Sequence, residues 1–239
     1  MTSSSGGDDS DVFSESPATY KEEDFIELKS RMQPLFCADP TQYQTDACLK
    51  RFLKAFLTVD QAFEALVKYI KWRMEYAVET LNSSHPDIQT DLSTGKVLLP
   101  NFKDKAGRPA VFVFARHHDA SSRNLDQLTR FIVYVIETAA AKCDESVIDN
   151  ICILFDLKGF SLSNMDYGFV KQLIWLLSRR YPERLGKCLI LNSPFVFSGC
   201  WLVIKFWLNE VTRSKIIFIR DKNHLEEYFD QEYIPSTLF

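Results

Sequence analysis

The run Ile151-Cys152-Ile153-Leu154-Phe155 places five apolar side chains in succession, and it constrains the fold more than any other segment. A strand sends alternate side chains to opposite faces, so a strand with no polar position must be covered on both sides. It therefore belongs inside a sheet that carries layers on both faces. The flanking pattern agrees. Lys96–Leu99 and Ala110–Ala115 read as strands separated by the turn Asp104-Lys105-Ala106-Gly107, and Leu125–Ala141 reads as a helix. Met165–Arg179 reads as a helix, Cys188–Leu191 as a strand, Ser198–Leu208 as a helix and Ile216–Ile219 as a strand. Helix alternating with strand predicts an α/β fold with a mixed, mostly parallel sheet flanked by helices.

Upstream the period changes. Residues 1–17 are poor in apolar side chains and read as a disordered acidic tail. Residues 18–80 read as a small helical N-terminal module. It opens with a helix over Tyr20–Met32, and Pro34 and Pro40 bracket a break. Thr45 or Asp46 is placed to cap a helix carrying Leu49, Phe52, Leu53 and Phe56. Asp60 is placed to cap a longer one with Phe63, Leu66, Val67, Ile70 and Met74 on one face. The polar stretch Asn82–Thr90 reads as a loop and a boundary, leaving 90–239 as the second domain.

Charge and composition narrow the function. Apolar residues make up 46% of the chain and include 19 Phe, which suit a packed core and a dry cavity wall equally. The net charge of −4 hides an asymmetry. Residues 1–24 carry seven acids against one Lys, whereas 171–220 carry nine basic residues against Glu183 and Glu210. A basic face implies transient contact with an anionic membrane surface. No nucleic-acid-binding motif accompanies it. The six Cys show neither CxxC nor metal spacing, and the start is not basic-then-apolar as a secretory signal would be. The expectation is a cytoplasmic, monomeric protein with peripheral membrane association.

Two segments stand out. Ser198–Leu208 has helical length with Lys205 as its only charge. Eleven residues span roughly 16 Å, too short to cross a bilayer. Such a helix is either a central core element or a lid, one face closing a lipid cavity and the other meeting a membrane, where Trp201 and Trp207 suit the interface. The second segment is polar. Glu183 follows a helix and Lys215 opens a strand after a turn with Thr212. They read either as surface charges or as a pair whose carboxylate a lipid phosphate could replace on Lys215.

Val147–Asn164, with its Asp156-Leu-Lys-Gly159 turn, resembles the central strand and turn of CRAL-TRIO domains. So does Tyr181-Pro-Glu-Arg184, followed by Asn192-Ser-Pro194, the apolar helix, and Phe206 through Lys215. Leu225–Tyr228 and Tyr233-Ile-Pro235 are similar too, and Leu49–Phe56 resembles the helical module that precedes these domains. The likeness covers roughly residues 45–235. It implies a sheet floor and helical wall around a hydrophobic pocket, with a gate helix mapping onto 198–208. It also implies that Glu183, Lys215 and Thr212 bind the headgroup of phosphatidylinositol. The pocket and gate residues expected on this basis are Phe112, Phe114, Ile151, Ile153, Leu177, Leu189, Leu191, Trp201, Phe206 and Trp207.

The departures bear on cargo. Phosphatidylcholine-binding members carry hydroxyl side chains where this chain has Ile151, Ile153 and Leu177, so a more hydrophobic second lipid, sterol-like or isoprenoid, is admissible instead. Arg116-His117-His118-Asp119 lacks the Gly of the family's Arg-x-Gly-x-Asp, and no site is inferred from it. His117–His118 reads as a loop pair without a third ligand at metal spacing. The chain ends at Phe239, short of the Gly-Gly common in the family, which reads as a trimmed or atypical end.

Asp156 at a strand end is read as bonding the Lys158-Gly159 turn. Arg179, Arg180, Arg184 and Lys187 read as a solvated basic rim. No GxSxG, GxxxxGK[ST] or HExxH is present, so the chain is expected to be no enzyme, with no cofactor and no metal beyond a bound lipid. The alternative is a lipid-regulated interaction module that recruits signalling or trafficking partners, with the acidic segment over residues 8–24 as its docking element.

Overall fold

A computed structural model describes residues 19–238. The acidic 1–17 segment lies outside the described residues. Nine α-helices and five strands follow one another among them. The strands are β1 (Val97–Leu98), β2 (Ala110–Phe114), β3 (Ile151–Asp156), β4 (Leu185–Leu191) and β5 (Ile216–Phe218). They lie in sequence order in one sheet, β1 antiparallel to β2 and the rest parallel. β3 sits at the centre, where its apolar run requires it to be.

The two faces of the sheet are covered differently. On one face Val111, Ile151, Ile153, Cys188 and Ile190 pack with α5 (Leu125–Ala140), α6 (Tyr167–Trp175) and α7 (Phe197–Ile204). A π-helical turn, Leu176–Arg180, extends α6. On the other face Ala110, Phe112, Cys152, Leu154, Leu189 and Leu191 pack against the C-terminal segment through Ile219, Leu225, Phe229 and Leu238. The turn after β3 is held by buried Asp156, which accepts from the Lys158 N–H and from Asn192 Nδ2 and pairs with Arg116 at 2.7 Å.

The N-terminal helices α1 (Glu22–Ala38), α2 (Asp46–Ala55) and α3 (Val59–Glu75) form their own core from Phe25, Leu28, Met32, Leu49, Phe52 and Leu66. Three local expectations need correction. Pro34 lies inside α1 rather than breaking it. Ser30, whose carbonyl Pro34 leaves without its usual donor, is an exposed residue, while Phe36 beyond the proline continues the buried stripe. Thr58, not Asp60, caps α3 by accepting from the Gln61 N–H, and Thr45 caps α2. The Asn82–Thr90 stretch, expected as a loop, instead opens α4 (Pro86–Ser93), started by Pro86 in its first turn and by His85, whose ring accepts from the Asp87 N–H.

A polar seam joins α2 and α3 to the sheet domain. Arg51 pairs with Glu145 and Asp149, and Arg184 reaches Glu145 at 2.8 Å and the Asp149 carbonyl. Beside it Arg73 holds Glu137, which also accepts from the Tyr181 hydroxyl, and Tyr181 meets Trp72 edge-on. Arg184 is therefore buried structural wiring rather than part of a solvated rim, and Arg180 lies over the rings of Trp72 and Trp175.

Candidate functional site

Between the sheet, α5, α6 and α7 lies a cavity of about 270 Å³. Its floor is Val111, Val113, Ile151, Ile153, Phe155, Cys188 and Ile190, every second residue of β2, β3 and β4. α5 contributes Phe131, Ile132, Val135 and Ile136, and α6 with its π turn contributes Phe169, Val170, Leu173 and Leu177. A π turn widens the helix locally and is frequent at functional sites. α7 presents Phe197, Trp201 and Ile204 to the cavity, at helical spacing. Its other side is bare: Leu202 is exposed, and flanking Phe195 and Phe206 are 94% and 79% exposed. Lys205 lies over the Phe206 ring.

Polar groups border the cavity at its two ends. At the N-terminal ends of the parallel strands, Lys215 Nζ donates to Glu183 Oε2 at 2.9 Å, with both side chains about one-fifth exposed. Glu183 adopts a left-handed backbone, φ +57°, just before β4. Lys215 closes α8 (Glu210–Ser214), which Asn209 caps by accepting from the Thr212 N–H. Thr212 borders the cavity beside them.

At the opposite end stand Lys96, His118, Asn164 and Asp166. Lys96 precedes β1, and its carbonyl accepts from the Phe114 N–H at the end of β2. Asp166 caps α6 and accepts from Arg123 Nε at 2.6 Å and the Phe169 N–H at 2.9 Å, and it meets His118 Nε2 at 3.2 Å. Burial would raise its carboxyl, but the bonds from Arg123, Phe169 and His118 outweigh burial and hold it at about 2. Burial pushes the His118 imidazole below its ordinary value against the pull of Asp166.

The structure brings Glu183, Lys215 and Thr212 together with Ile151, Ile153, Leu177 and Trp201 around this cavity, whereas Phe114 borders it at the end of β2 and packs with the core of the opposite sheet face under Arg116. It places Phe112, Leu189 and Leu191 on the other sheet face, in the core with Phe229. They are one residue out of phase with Val111, Val113, Cys188 and Ile190, and the pleat turns them away. Phe206 points outward, and Trp207 packs on Tyr167 at 5.6 Å and under Lys171 instead of entering the cavity. The sequence reading missed Phe195, Lys96 and Asp166, and took His118 as an ordinary loop histidine. Among the described residues, no helix is long and apolar enough to cross a membrane.

The CRAL/TRIO domain family profile matches residues 92–238. The chain is 32% identical to a CRAL-TRIO domain-containing protein of Schizosaccharomyces pombe over 98% of this chain and 55% of that one. It is 32% identical to the phosphatidylinositol transfer protein CSR1 of Eremothecium gossypii over 97% of this chain and 57% of that one. It thus spans little more than half the length of these two relatives. The Sec14 cytosolic factor of Schizosaccharomyces pombe is 30% identical over 83% of this chain and 75% of its own. The crystal structure of Sfh5 superposes with a TM-score of 0.72 at 19% identity, covering 87% of this chain and 82% of that one, which establishes the shared fold.

Proposed function

The chain belongs to the CRAL/TRIO domain family, and from that premise we propose that it carries one lipid in the cavity behind α7 and exchanges it at an anionic membrane surface. Phosphatidylinositol is the cargo favoured for the headgroup end. The observation that carries this reading is the Lys215–Glu183 pair bordering an otherwise apolar cavity, with Thr212 beside it. An inositol phosphate group would replace the Glu183 carboxylate as the partner of Lys215, with Thr212 as a further donor. Similarity to a protein named as a phosphatidylinositol transfer protein supports the same assignment.

The energetics suit carriage without covalent chemistry. Each CH₂ moved from water into the apolar lining gains roughly 0.8 kcal/mol, so release into water is slow and a membrane must accept the chains. α7 is the gate in this reading: Phe197, Trp201 and Ile204 close the cavity, while Phe195, Leu202 and Phe206 face the bilayer. The positive excess over 171–220 supports approach to anionic lipid, each basic residue near the surface adding about 1 kcal/mol.

The test is transfer of labelled phosphatidylinositol between vesicles by the full chain and by Lys215→Ala. Loss of transfer in the variant, with the fold intact by circular dichroism, is expected. Equal transfer by both proteins refutes the headgroup assignment.

A further inference from the structure

We propose that the cavity has a second polar subsite, formed by Lys96 and His118 at the end opposite Glu183 and Lys215, which fixes the single hydroxyl of a hydrophobic alcohol. The proposal rests on the reading of the cavity as a lipid site and adds a ligand class to it.

The two ends are separated by the length of the central strands. Leu185 lies opposite Ile151 at the Glu183 end, and Phe114 lies opposite Asp156 at the other. At about 3.3 Å per residue, five steps of β3 amount to roughly 16 Å. The floor between them is apolar, so a lipid lying along it meets polar groups only at its extremities.

The chemistry of the far end is specific. Lys96 is 9% exposed, and its ammonium donates to Asp91 Oδ1 at 2.6 Å. Asp91 is buried, and its other oxygen accepts from Gln127 Nε2 at 3.1 Å. An ammonium has three N–H donors, so this fixed cation keeps donors beyond the one spent on Asp91. His118 is complementary. Asp166 is held ionised by Arg123, which bonds both of its oxygens, so Nε2 of His118 must carry the proton it donates to Asp166. That leaves Nδ1 as an acceptor, and among the described residues no protein group bonds it. The ring is seated against Phe169 at 5.7 Å, and the backbone carbonyl of His118 accepts from Asn164 Nδ2 at 2.7 Å.

Charge at this end is already balanced, Lys96 by Asp91 and Arg123 by Asp166. A phosphate or carboxylate would add an uncompensated charge beside two buried carboxylates, a costly arrangement. A neutral hydroxyl fits instead, since its oxygen accepts from Lys96 while its proton goes to His118 Nδ1. The apolar side chains of Ile151, Ile153 and Leu177 leave the middle of the cavity free for a rigid hydrocarbon body.

Binding to the full chain of a fluorescent sterol bearing a free 3-hydroxyl, and of its 3-keto counterpart, tests this. The ketone can still accept from Lys96 but has no proton for His118. Wild-type protein is expected to prefer the alcohol by about tenfold or more, the scale of one buried hydrogen bond. His118→Phe, which keeps an aromatic ring on Phe169, should bring the ratio near one. The paired variant Lys96→Met with Asp91→Asn, which strands no buried charge, should weaken both ligands. Equal binding of alcohol and ketone by wild type overturns the subsite, as does a preference that survives His118→Phe, or a failure to bind either sterol. Phosphatidylinositol loading of the same wild-type sample separates the two readings: a protein that loads it yet shows no alcohol preference retains the lipid cavity and lacks the subsite, whereas one that binds neither class fails on both.

Discussion

Glu183 and Lys215 lie 32 positions apart in the chain and meet at 2.9 Å beside the cavity. Glu183 reaches that position from a left-handed backbone conformation that few residues other than Gly, Asn and Asp adopt readily. Its neighbours are tied down on both sides, Tyr181 to Glu137 and Arg184 to Glu145, so the segment holds the carboxylate in place.

Glu183→Asn should separate conformation from chemistry. Asn tolerates the left-handed region, so the backbone should hold, and the loss is that of one charge-assisted hydrogen bond in a mostly buried pair, about 2 kcal/mol of unfolding free energy. Transfer of labelled phosphatidylinositol should fall severalfold, because the shorter amide no longer orients Lys215. Urea titration and vesicle transfer read the two effects.

Phe195 and Phe206 carry the proposed membrane contact. Replacing both by Ser removes exposed aromatic surface from the α7 side and leaves the buried Phe197, Cys200 and Ile204 in place. Stability should change by less than about 0.5 kcal/mol per site. Co-sedimentation with phosphatidylserine vesicles should drop markedly, and undiminished binding would place the contact elsewhere.

Glu145 is the hub of the seam between the N-terminal helices and the sheet domain, taking bonds from Thr45, Arg51 and Arg184. Glu145→Ala leaves two buried guanidinium groups with one fewer counter-charge. Breaking such a cluster costs about 3 kcal/mol. Chemical denaturation should show that loss.

Asp166 sets an acid limit. Its carboxyl is held at about 2 against an ordinary value of 3.8, so as pH falls below 3.8 the unfolded chain takes up a proton that the folded chain refuses. The Asp166 contribution is therefore complete above about pH 4 and disappears as pH falls towards 2. Asp166→Asn keeps a capping side chain for α6 but has no proton to bind. Its melting temperature should lie below that of wild type at pH 6, and the two should converge near pH 2.

How much of this was legible beforehand depends on the range of the interaction. Thr45 as a cap and β3 as a central strand follow from neighbours in the chain, and the sequence carries both signals. The pairing of Glu183 with Lys215 was legible only through resemblance, because two common charges 32 residues apart carry no local signal. His118 and Lys96 had no signal at all, since each is an ordinary surface residue type until β2 and α6 bring them to one cavity wall.

The amino-acid sequence by itself determined that β2, β3 and β4 are buried and that helices must cover them, since solvating runs such as Ile151–Phe155 would expose too much apolar surface. It could not determine which side chains face the cavity. Apolar residues occupy both parities of these strands, so Phe112, Leu189 and Leu191 look the same as Val111, Cys188 and Ile190 when read along the chain. Only the packing of α5, α6 and α7 on one face and of Phe229 and Leu225 on the other breaks that symmetry, and it does so through contacts between residues distant in sequence.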